Sequence, residues 1–527
     1  MIGGMQDWPL RLTRLFDHVA REHGSREIVS YQLDGSTTRG TWADVVSGGR
    51  RCASALQRLG IKPGDRVATL ATNHVRHLVS WIGTIGMGGV IHTINPRLFE
   101  DQIAYIANHA EDRVLLYDAA FAPIVERLRP RLATVEHFMS FEGDFDGLLA
   151  AGSADYRWHE GGEREPAMLC YTSGTTGNPK GVLYEHRSAL LHTLAQLQPD
   201  MFNFSARTVT APITPMFHAG AWNIPFAAAA VGAKLVLSMV NEPAILHRLM
   251  IEEGVTHSCA VPTVWLSILQ HVEREGGDLG KLAMISCGGS AAPRAMIERY
   301  RERGVRFGHL WGMTELSPVG TVCGYPADWD ERSDDAQLDF ISKQGRAPFG
   351  VELRIVDEAG NELPRDGKSS GQLQVRGPWT VARYFKDERG PCVDAEGWFD
   401  TGDIAIIHPG GELQLTDRAK DVIKSGGEWI SSVELENAAV GCPGVAEAAA
   451  IGVPHPKWDE RPLLLVVRRP DASVSAEDIQ TCLAGKVARW WLPDEILFVE
   501  ELPHTGTGKL LKTALREQYR GHRLPGI

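Results

Sequence analysis

The chain is organised around one stretch, Tyr171-Thr172-Ser173-Gly174-Thr175-Thr176-Gly177-Asn178-Pro179-Lys180-Gly181. Its glycines allow the backbone to turn N–H groups toward an anion, its hydroxyls add hydrogen-bond donors, and its lysine adds a mobile positive charge. This combination is typical of a site that binds a polyphosphate. The predicted phosphate ligands are Thr172, Ser173, Gly174, Thr175, Thr176 and Lys180. We call residues 172–181 the hydroxyl loop.

The segments on both sides of the hydroxyl loop are apolar. Ala167-Met168-Leu169-Cys170 precedes it and Val182-Leu183-Tyr184 follows it, which predicts a loop between two strands. A Walker A loop needs a glycine directly before its lysine and a Ser or Thr after it, whereas Lys180 lies between Pro179 and Gly181. A flexible linker is the alternative, but a linker needs neither the Pro-Lys-Gly ending nor two flanking strands.

Composition limits the classes of protein that this chain can be. With 527 residues, 43% of them hydrophobic, it can bury a large core in about two to four domains or subdomains. A net charge of −12 without a long basic run argues against a nucleic-acid partner. Eight cysteines without a C-x-x-C pair favour a reducing cytoplasm. No secretory signal is indicated, and the longest apolar run, residues 224–237, is too short to span a bilayer.

Hydrophobic patterning predicts an α/β protein. Leu12, Leu15, Phe16 and Val19 share one helical face, and Thr41 is placed to cap a second helix that ends near residue 59. Apolar strands at residues 67–70 and 114–117 alternate with helical stretches, which favours parallel α/β layers covered on both faces.

The pattern of predicted secondary structure changes further along the chain. Turn signals between residues 345 and 411 predict a small β-rich subdomain, and the acidic residues 328–339 before it are expected to form a solvated loop. A new α/β pattern begins after Asp417-Arg418-Ala419-Lys420-Asp421. We therefore predict an N-terminal domain over residues 1–419, with two α/β layered subdomains plus the β-rich one, and a small α+β C-terminal domain over residues 420–527.

Further motifs follow the hydroxyl loop in a fixed order. They are Pro215-Met216-Phe217-His218-Ala219-Gly220-Ala221-Trp222, Gly288-Gly289-Ser290-Ala291-Ala292-Pro293, Leu310-Trp311-Gly312-Met313-Thr314-Glu315, Gly397-Trp398-Phe399-Asp400-Thr401-Gly402-Asp403, Lys424-Ser425-Gly426-Gly427-Glu428-Trp429 and Thr505-Gly506-Thr507-Gly508-Lys509. In this order and spacing the chain resembles, over essentially its whole length, the adenylate-forming superfamily of acyl-CoA synthetases, non-ribosomal peptide adenylation domains and firefly luciferase. Residues 424–432 and 455–458 look most like bacterial fatty-acyl-CoA and methylthioalkanoate-CoA ligases.

The resemblance implies a two-step reaction that uses ATP, Mg²⁺ and CoA. A carboxylate attacks the α-phosphorus of ATP and expels pyrophosphate, and the CoA thiol then attacks the acyl-adenylate and releases AMP. The expected acid is hydrophobic, such as a medium- or long-chain fatty acid, with methylthiopropanoate and arylalkanoates as alternatives. A homodimer is expected by resemblance alone.

The resemblance also implies roles in adenylation. The predicted catalytic residues are Thr172, His218, Glu315 and Lys509. Glu315 would bind Mg²⁺, and Lys509 would bridge the attacking carboxylate and the α-phosphate. The remaining predicted nucleotide contacts are Gly289, Ser290, Ala291, Ala292, Pro293, Trp311, Gly312, Met313, Thr314, Asp403 and Arg418.

Three of these nucleotide contacts carry a specific expectation. Asp403 would accept hydrogen bonds from the ribose hydroxyls, with Arg418 beside it. Trp311 stands where the family usually has Tyr, so it would pack on the adenine face without the phenolic hydroxyl.

The second step implies a moving C-terminal domain. Its hinge would be Lys420, and Gly426 and Gly427 would border a narrow passage for pantetheine. Lys424 and Trp429 either line that passage or belong to a turn with a core Trp. The predicted acyl slot, for which core packing is an equal alternative, comprises His218, Ala219, Gly220, Trp222, Val261 and Gly288.

Three other classes compete with this interpretation. A serine hydrolase would need Gly-x-Ser-x-Gly, which Gly288-Gly289-Ser290-Ala291-Ala292 does not supply. A zinc enzyme would need clustered His and Cys ligands, which the sequence lacks. A non-catalytic nucleotide-binding module would bind ATP without carboxylate-dependent pyrophosphate exchange, but it has no need of Lys509.

Overall fold

A computed structural model describes residues 3–172, 178–426, 428–470, 472–504 and 510–525, with the backbone alone at 428 and 429. The helices are α1 Leu12–Glu22, α2 Trp42–Arg58, α3 Val75–Gly86, α4 Glu100–Ala110, α5 Ala122–Leu128, α6 Phe145–Ala151, α7 His186–Gln196, α8 Ile224–Val231, α9 Pro243–Glu253, α10 Pro262–Glu275, α11 Arg294–Glu302, α12 Asp334–Ser342, α13 Ser432–Val440, α14 Ala476–Leu483 and α15 Lys512–Gln518.

The strands follow the same numbering along the chain. They are β1 Glu27–Tyr31, β2 Thr37–Thr41, β3 Arg66–Leu70, β4 Val90–Thr93, β5 Asp112–Tyr117, β6 His137–Ser140, β7 Pro166–Tyr171, β8 Gly181–Glu185, β9 Val209–Pro212, β10 Lys234–Ser238, β11 His257–Ala260, β12 Met284–Cys287, β13 Arg306–Gly312, β14 Val319–Val322, β15 Glu352–Val356, β16 Ser370–Arg376, β17 Phe399–Ile407, β18 Leu413–Arg418, β19 Ile423–Ser425, β20 Glu428–Ile430, β21 Val445–His455, β22 Asp459–Arg468 and β23 Glu495–Phe498.

Two mainly parallel sheets form the large N-terminal domain. One has the order β6-β5-β3-β4-β7-β8 and the other β14-β13-β12-β11-β9-β10-β1-β2. Within the described part of these two sheets, antiparallel pairs occur only at the margins, β7 with β8 in the first sheet and β1 with β2 and β13 with β14 in the second. The pair β7–β8 flanks the hydroxyl loop, which confirms the predicted strand–loop–strand arrangement. Buried parallel strands flanked by helices confirm the α/β class.

Two further sheets complete the chain. The antiparallel sheet β15-β16-β17-β18 is the predicted β-rich subdomain. The smaller C-terminal domain contains β20-β19-β22-β21, with β23 paired in parallel to β22, and helices α13, α14 and α15. Among the described residues, no helix is long and apolar enough to cross a membrane.

The apolar face of α1 and the cap of α2 are as the sequence predicted. The four apolar residues that define one face of α1 are all buried, because that face packs into the main core. Thr41 accepts a hydrogen bond from the Asp44 backbone N–H, and the Asp44 side chain accepts one from the Thr41 backbone N–H. This reciprocal capping box determines where α2 begins.

Two expectations from the sequence were wrong. The acidic stretch 328–339 is not a continuous loop, because Ser333 caps α12 and Leu338 is buried. The reducing environment inferred from the cysteine spacing predicted no disulfide, whereas Cys442 and Cys482 form one across 40 residues. Packing of α13 against α14 brings these two cysteines together, so sequence spacing carried no sign of it.

Candidate active site

A cavity of about 490 Å³ lies at the carboxyl ends of the parallel strands, with the β-rich subdomain on one side. Loops that follow parallel strands converge at this edge, so it is the usual place for a ligand in an open α/β sheet. The cavity is lined by Asn95, Leu98, Tyr171, Thr172, Lys180, Phe217, His218, Ala219, Trp222, Val261, Gly289, Leu310, Gly312, Met313, Thr314, Glu315, Pro318, Tyr384, Phe399, Asp400, Thr401, Gly402, Arg418, Ala419 and Lys420.

Many residues singled out in the sequence meet at this cavity although they come from distant segments. The predicted residues that line it are Thr172, Lys180, His218, Ala219, Trp222, Val261, Gly289, Gly312, Met313, Thr314, Glu315, Arg418 and Lys420. Those that are adjacent in sequence to lining residues or to their segments, without lining the cavity themselves, are Gly220, Gly288, Ser290, Ala291, Ala292, Pro293, Trp311 and Asp403. Those outside the described residues are Ser173, Gly174, Thr175, Thr176, Gly427 and Lys509.

The two ends of the hydroxyl loop are held together at the cavity. The Thr172 backbone N–H donates to the Lys180 carbonyl at 2.9 Å, continuing the ladder between β7 and β8. Lys180 Nζ lies 4.7 Å from the centre of the Tyr384 ring, within the range of a cation–π contact. The loop therefore leaves and rejoins the sheet at one point, with a positive charge at its exit.

Glu315 is the buried carboxylate of the site. Its side chain accepts a 2.8 Å hydrogen bond from the Tyr384 hydroxyl, and only 7% of the residue is exposed. Burial raises the pKa of Glu315, although the Tyr384 hydroxyl and the charges of Arg418 and Lys180 act in the opposite direction. Burial and the nearby Glu315 carboxylate also raise the pKa of Tyr384, so its phenol remains a donor.

A left-handed turn follows His218. Residues from Ala219 to Asn223 have φ between 44° and 60°, and four of these five are not glycine. Left-handed backbone costs a non-glycine residue about 1–2 kcal/mol, so surrounding contacts must hold this turn. One such contact is the hydrogen bond of 2.6 Å from Gln196 Nε2 to the Trp222 carbonyl. The turn places Trp222, buried to 3% exposure, in the cavity wall.

His309 supports the segment that follows β12. Its Nε2 accepts a hydrogen bond of 3.3 Å from the Ala292 N–H, and its Nδ1 donates one of 3.0 Å to the Ile341 carbonyl. Burial lowers the pKa of His309 to about 4, so the ring is neutral and can accept on one side. This buried histidine thereby fixes the backbone of the predicted adenine-edge segment.

Trp311 reaches Asp403 across two sheets. The indole Nε1 donates a hydrogen bond of 2.9 Å to Asp403 Oδ2, and Trp311 is almost fully buried. Arg418 Nε lies 3.4 Å from Asp403 Oδ1. The sequence had suggested that replacing Tyr by Trp only removes a hydroxyl, whereas the indole brings a donor of its own.

The strand that leads to the predicted hinge contacts the C-terminal domain. Asp417 Oδ2 accepts hydrogen bonds from the backbone N–H and the hydroxyl of Ser432, at the start of α13, at 2.6 and 2.7 Å. Just after the predicted hinge, Asp421 forms a 2.6 Å ion pair with Arg516 of α15, within the C-terminal domain. Burial lowers the pKa of Lys420, which lines the cavity between these two contacts.

Two of the predicted thiol-passage residues, Lys424 and Gly426, are not among the residues that line the cavity. Lys424 and Trp429 are paired across β19 and β20. Gly426 has φ of +62°, and a Cβ there would lie 2.8 Å from the Trp458 ring. Only glycine fits this position without strain or a steric clash.

Sequence reasoning missed several cavity residues. Tyr384, Asn95, Leu98 and Phe217 line the cavity without having been assigned a role in it. Phe217 stands inside the His218 motif, so its position was a usable signal. Tyr384 gave none, because its contact with Glu315 spans 69 residues of sequence.

The chain belongs to the family of AMP-binding enzymes. The model of the AMP-binding enzyme family matches residues 16–385, and that of the AMP-binding enzyme C-terminal domain matches residues 434–509.

Among proteins similar to this chain over its whole length are CoA ligases. The chain is 45% identical over 534 residues to the medium-chain-fatty-acid–CoA ligase of Ectopseudomonas oleovorans, covering 98% of each protein. It is 45% identical over 535 residues to the 3-methylmercaptopropionyl-CoA ligase of Ruegeria lacuscaerulensis, covering 99% of each. The ATP-bound crystal structure of MatB from Rhodopseudomonas palustris superimposes with a TM-score of 0.84 at 25% identity, over 97% of this chain and 99% of that one.

Proposed function

We propose that this chain is an AMP-forming acyl-CoA synthetase that converts a hydrophobic carboxylic acid, ATP and CoA into acyl-CoA, AMP and pyrophosphate. The observation that carries the proposal is the convergence of Thr172, Lys180 and Glu315 with Arg418 and His218 on one cavity. Cations and hydroxyl donors suit the phosphates of ATP, and an apolar region beside them suits an acyl chain. Two relatives that match this chain over nearly their full length are CoA ligases, which supports the same reaction.

Glu315 fits the Mg²⁺ that accompanies ATP. Among the described residues, no group of three or more His, Cys, Asp or Glu side chains is arranged to hold a metal by itself. Mg²⁺ usually keeps its waters and binds through one or two carboxylates plus the substrate phosphates, so a single buried carboxylate at the cavity suffices. When bound, the ion would neutralise charge on the phosphate oxygens, while Tyr384 holds the Glu315 carboxylate in place.

The acyl slot is proposed on the side of the cavity lined by Ala219, Trp222 and Val261, with Phe217 and Leu310 beside them. These side chains are uncharged, so this side of the cavity favours a substrate whose acyl chain is aliphatic or contains a thioether. A medium- or long-chain fatty acid is the proposed substrate, and 3-methylthiopropanoate is the alternative because both kinds of ligase occur among relatives of equal identity.

The two half-reactions are proposed to use different orientations of the C-terminal domain about Lys420. Lys509 would serve adenylation, and Lys424, Gly426, Gly427 and Trp429 would border the path of CoA. The separation of Lys424 and Gly426 from the described cavity lining supports this division, because they would have to move to act there. A cytoplasmic location and a homodimer are part of the proposal.

ATP–pyrophosphate exchange across a panel of carboxylic acids tests the function. We expect pyrophosphate exchange to depend on a hydrophobic acid. When CoA is added, we expect the thioester of that acid to form. Lys509→Ala should abolish exchange while a supplied acyl-adenylate is still converted to thioester. Lys368→Ala, an exposed lysine that also follows a glycine, is the matched control. ATP binding without acid-dependent exchange would identify a nucleotide-binding module instead, and exchange without thioester would identify another kind of adenylating enzyme.

A further inference from the structure

Trp311 and Asp403 form a buried donor–acceptor pair that joins two subdomains. Trp311 lies on β13 of the eight-stranded sheet, whereas Asp403 lies on β17 of the β-rich sheet. Their contact is a hydrogen bond of 2.9 Å from Nε1 to Oδ2, and the two residues are 4% and 5% exposed. A bond between a neutral N–H donor and a carboxylate is stronger than one between neutral partners, and burial protects it from competing water.

The indole is held rigidly for this contact. Its six-membered ring packs over Gly320 of β14, where a Cβ would lie 2.5 Å from the ring. Trp311 is also paired with Thr321 across β13 and β14. The donor position is therefore determined by the sheet and not by a rotatable surface side chain.

Asp403 is also restrained from the other directions. Its backbone N–H donates to Thr401 Oγ1 at 3.1 Å, and its other carboxylate oxygen, Oδ1, lies 3.4 Å from Arg418 Nε. Thr401 and Arg418 both line the cavity, so Asp403 is in contact with two cavity-lining residues. A carboxylate has about four acceptor positions, and one on Oδ2 is taken by the indole.

We infer that Trp311 is a positioning residue that orients the Asp403 carboxylate for the vicinal hydroxyls of a ribonucleotide and thereby sets the preference for ribose over deoxyribose. This inference rests on the proposed function, in which Asp403 receives the ribose. With its Oδ2 held by the indole, Asp403 cannot rotate fully toward Arg418, so its remaining acceptor positions keep one orientation. The substitution Trp311→Phe would preserve most of the packing but release the carboxylate.

The test compares ATP with 2′-deoxyATP for wild type and Trp311→Phe. Calorimetry on the full chain measures the affinity for each nucleotide, and pyrophosphate exchange measures kcat/KM for each. A hydrogen bond to a charged group corresponds to about a 10- to 150-fold change, so we expect Trp311→Phe to weaken ATP binding by at least about 10-fold. The affinity for 2′-deoxyATP should fall much less, so that the ratio between the two nucleotides shrinks.

A double-mutant cycle separates positioning from packing. In an Asp403→Ala background, Trp311→Phe should have no further effect on the nucleotide ratio, because there is no carboxylate left to orient. Trp42→Phe is the matched control, since it also removes a buried indole bond, here to the Ala233 carbonyl, and neither partner lines the cavity. If Trp311→Phe does not fold, benzothienylalanine at position 311 keeps the indole shape and lacks only the donor.

Equal losses for ATP and 2′-deoxyATP in Trp311→Phe would overturn the inference, as would an undiminished effect in the Asp403→Ala background. Equal wild-type affinities for the two nucleotides would overturn it too. A different result would overturn the proposed function, namely wild-type protein that binds ATP while no acid supports exchange. The calorimetric ratio still decides the role of Trp311 in that case.

Discussion

The hydroxyl of Tyr384 donates a hydrogen bond of 2.8 Å to Glu315 Oε1. The two residues belong to separate structural units, since Glu315 follows β13 and Tyr384 lies between β16 and β17. Lys180, at the exit of the hydroxyl loop, lies over the ring of the same tyrosine. Tyr384 therefore connects the buried carboxylate with the lysine of the proposed phosphate site.

Removal of this hydroxyl should weaken the use of Mg²⁺-ATP. In Tyr384→Phe the Glu315 carboxylate loses a fixed donor, so we expect kcat/KM for ATP to fall by about 10-fold or more. Pyrophosphate exchange measured over a range of Mg²⁺ concentrations should show a higher Mg²⁺ requirement. Tyr300→Phe is the control, because it removes a buried phenol bond of 2.8 Å to the Trp265 carbonyl away from the cavity. An unchanged Mg²⁺ requirement would contradict the role of Tyr384.

A side chain at Gly426 should disturb the proposed thiol passage. Gly426→Ala introduces left-handed strain and a Cβ 2.8 Å from the Trp458 ring, and the strain alone costs about 1–2 kcal/mol. We expect conversion of a supplied acyl-adenylate to thioester to slow, with pyrophosphate exchange retained. Gly411→Ala has a similar positive φ but nothing within 4 Å, so it separates strain from the clash. Equal effects of the two variants on thioester formation would argue against the passage.

The contact between Asp417 and α13 should favour the described orientation of the C-terminal domain. Asp417 precedes the proposed hinge and Ser432 follows it, so rotation about Lys420 would separate them. Asp417→Asn removes the charge of the acceptor, and we expect exchange to fall relative to thioester formation from acyl-adenylate. The free energy of unfolding should drop by about 1–3 kcal/mol.

The control for that change is Asp366→Asn. Asp366 also accepts backbone bonds, from Lys368 and Ser369, but in an exposed turn of the β-rich subdomain. It should leave the ratio of the two half-reactions unaltered. If Asp417→Asn slows both half-reactions equally, the contact serves stability alone.

His309 should make the protein sensitive to acid. Burial lowers the pKa of His309 to about 4, below the usual value of about 6.5 for an exposed histidine. Between pH 4 and 6.5 this histidine is protonated more often in the unfolded chain than in the folded one. The contribution of His309 to the free energy of unfolding therefore falls as pH decreases, by up to about 1.4 kcal/mol per pH unit. His309→Gln should reduce that dependence, measured as the thermal midpoint between pH 4.5 and 7. An identical pH slope in His309→Gln and in the exposed-residue control His504→Gln would refute this.

Several elements were predictable because their causes are local. The alternation of apolar strands and helices, the cap at Thr41 and the strands around the hydroxyl loop all depend on residues within a few positions of each other. The order of short motifs identified the superfamily for a related reason, since each motif is a short contiguous stretch of sequence. The acidic stretch 328–339 was misjudged because its buried residue, Leu338, comes near its end, inside α12.

By itself, then, the sequence determined the α/β class, and it predicted phosphate-binding chemistry for the hydroxyl loop and the residues of the candidate site. Only the tertiary structure decided which of them meet. Tyr384 reaches Glu315 across 69 residues, Trp311 reaches Asp403 across 92, and Cys442 pairs with Cys482 across 40. Such pairs depend on how separate sheets pack, and packing is set by the summed burial of many side chains that no single stretch encodes.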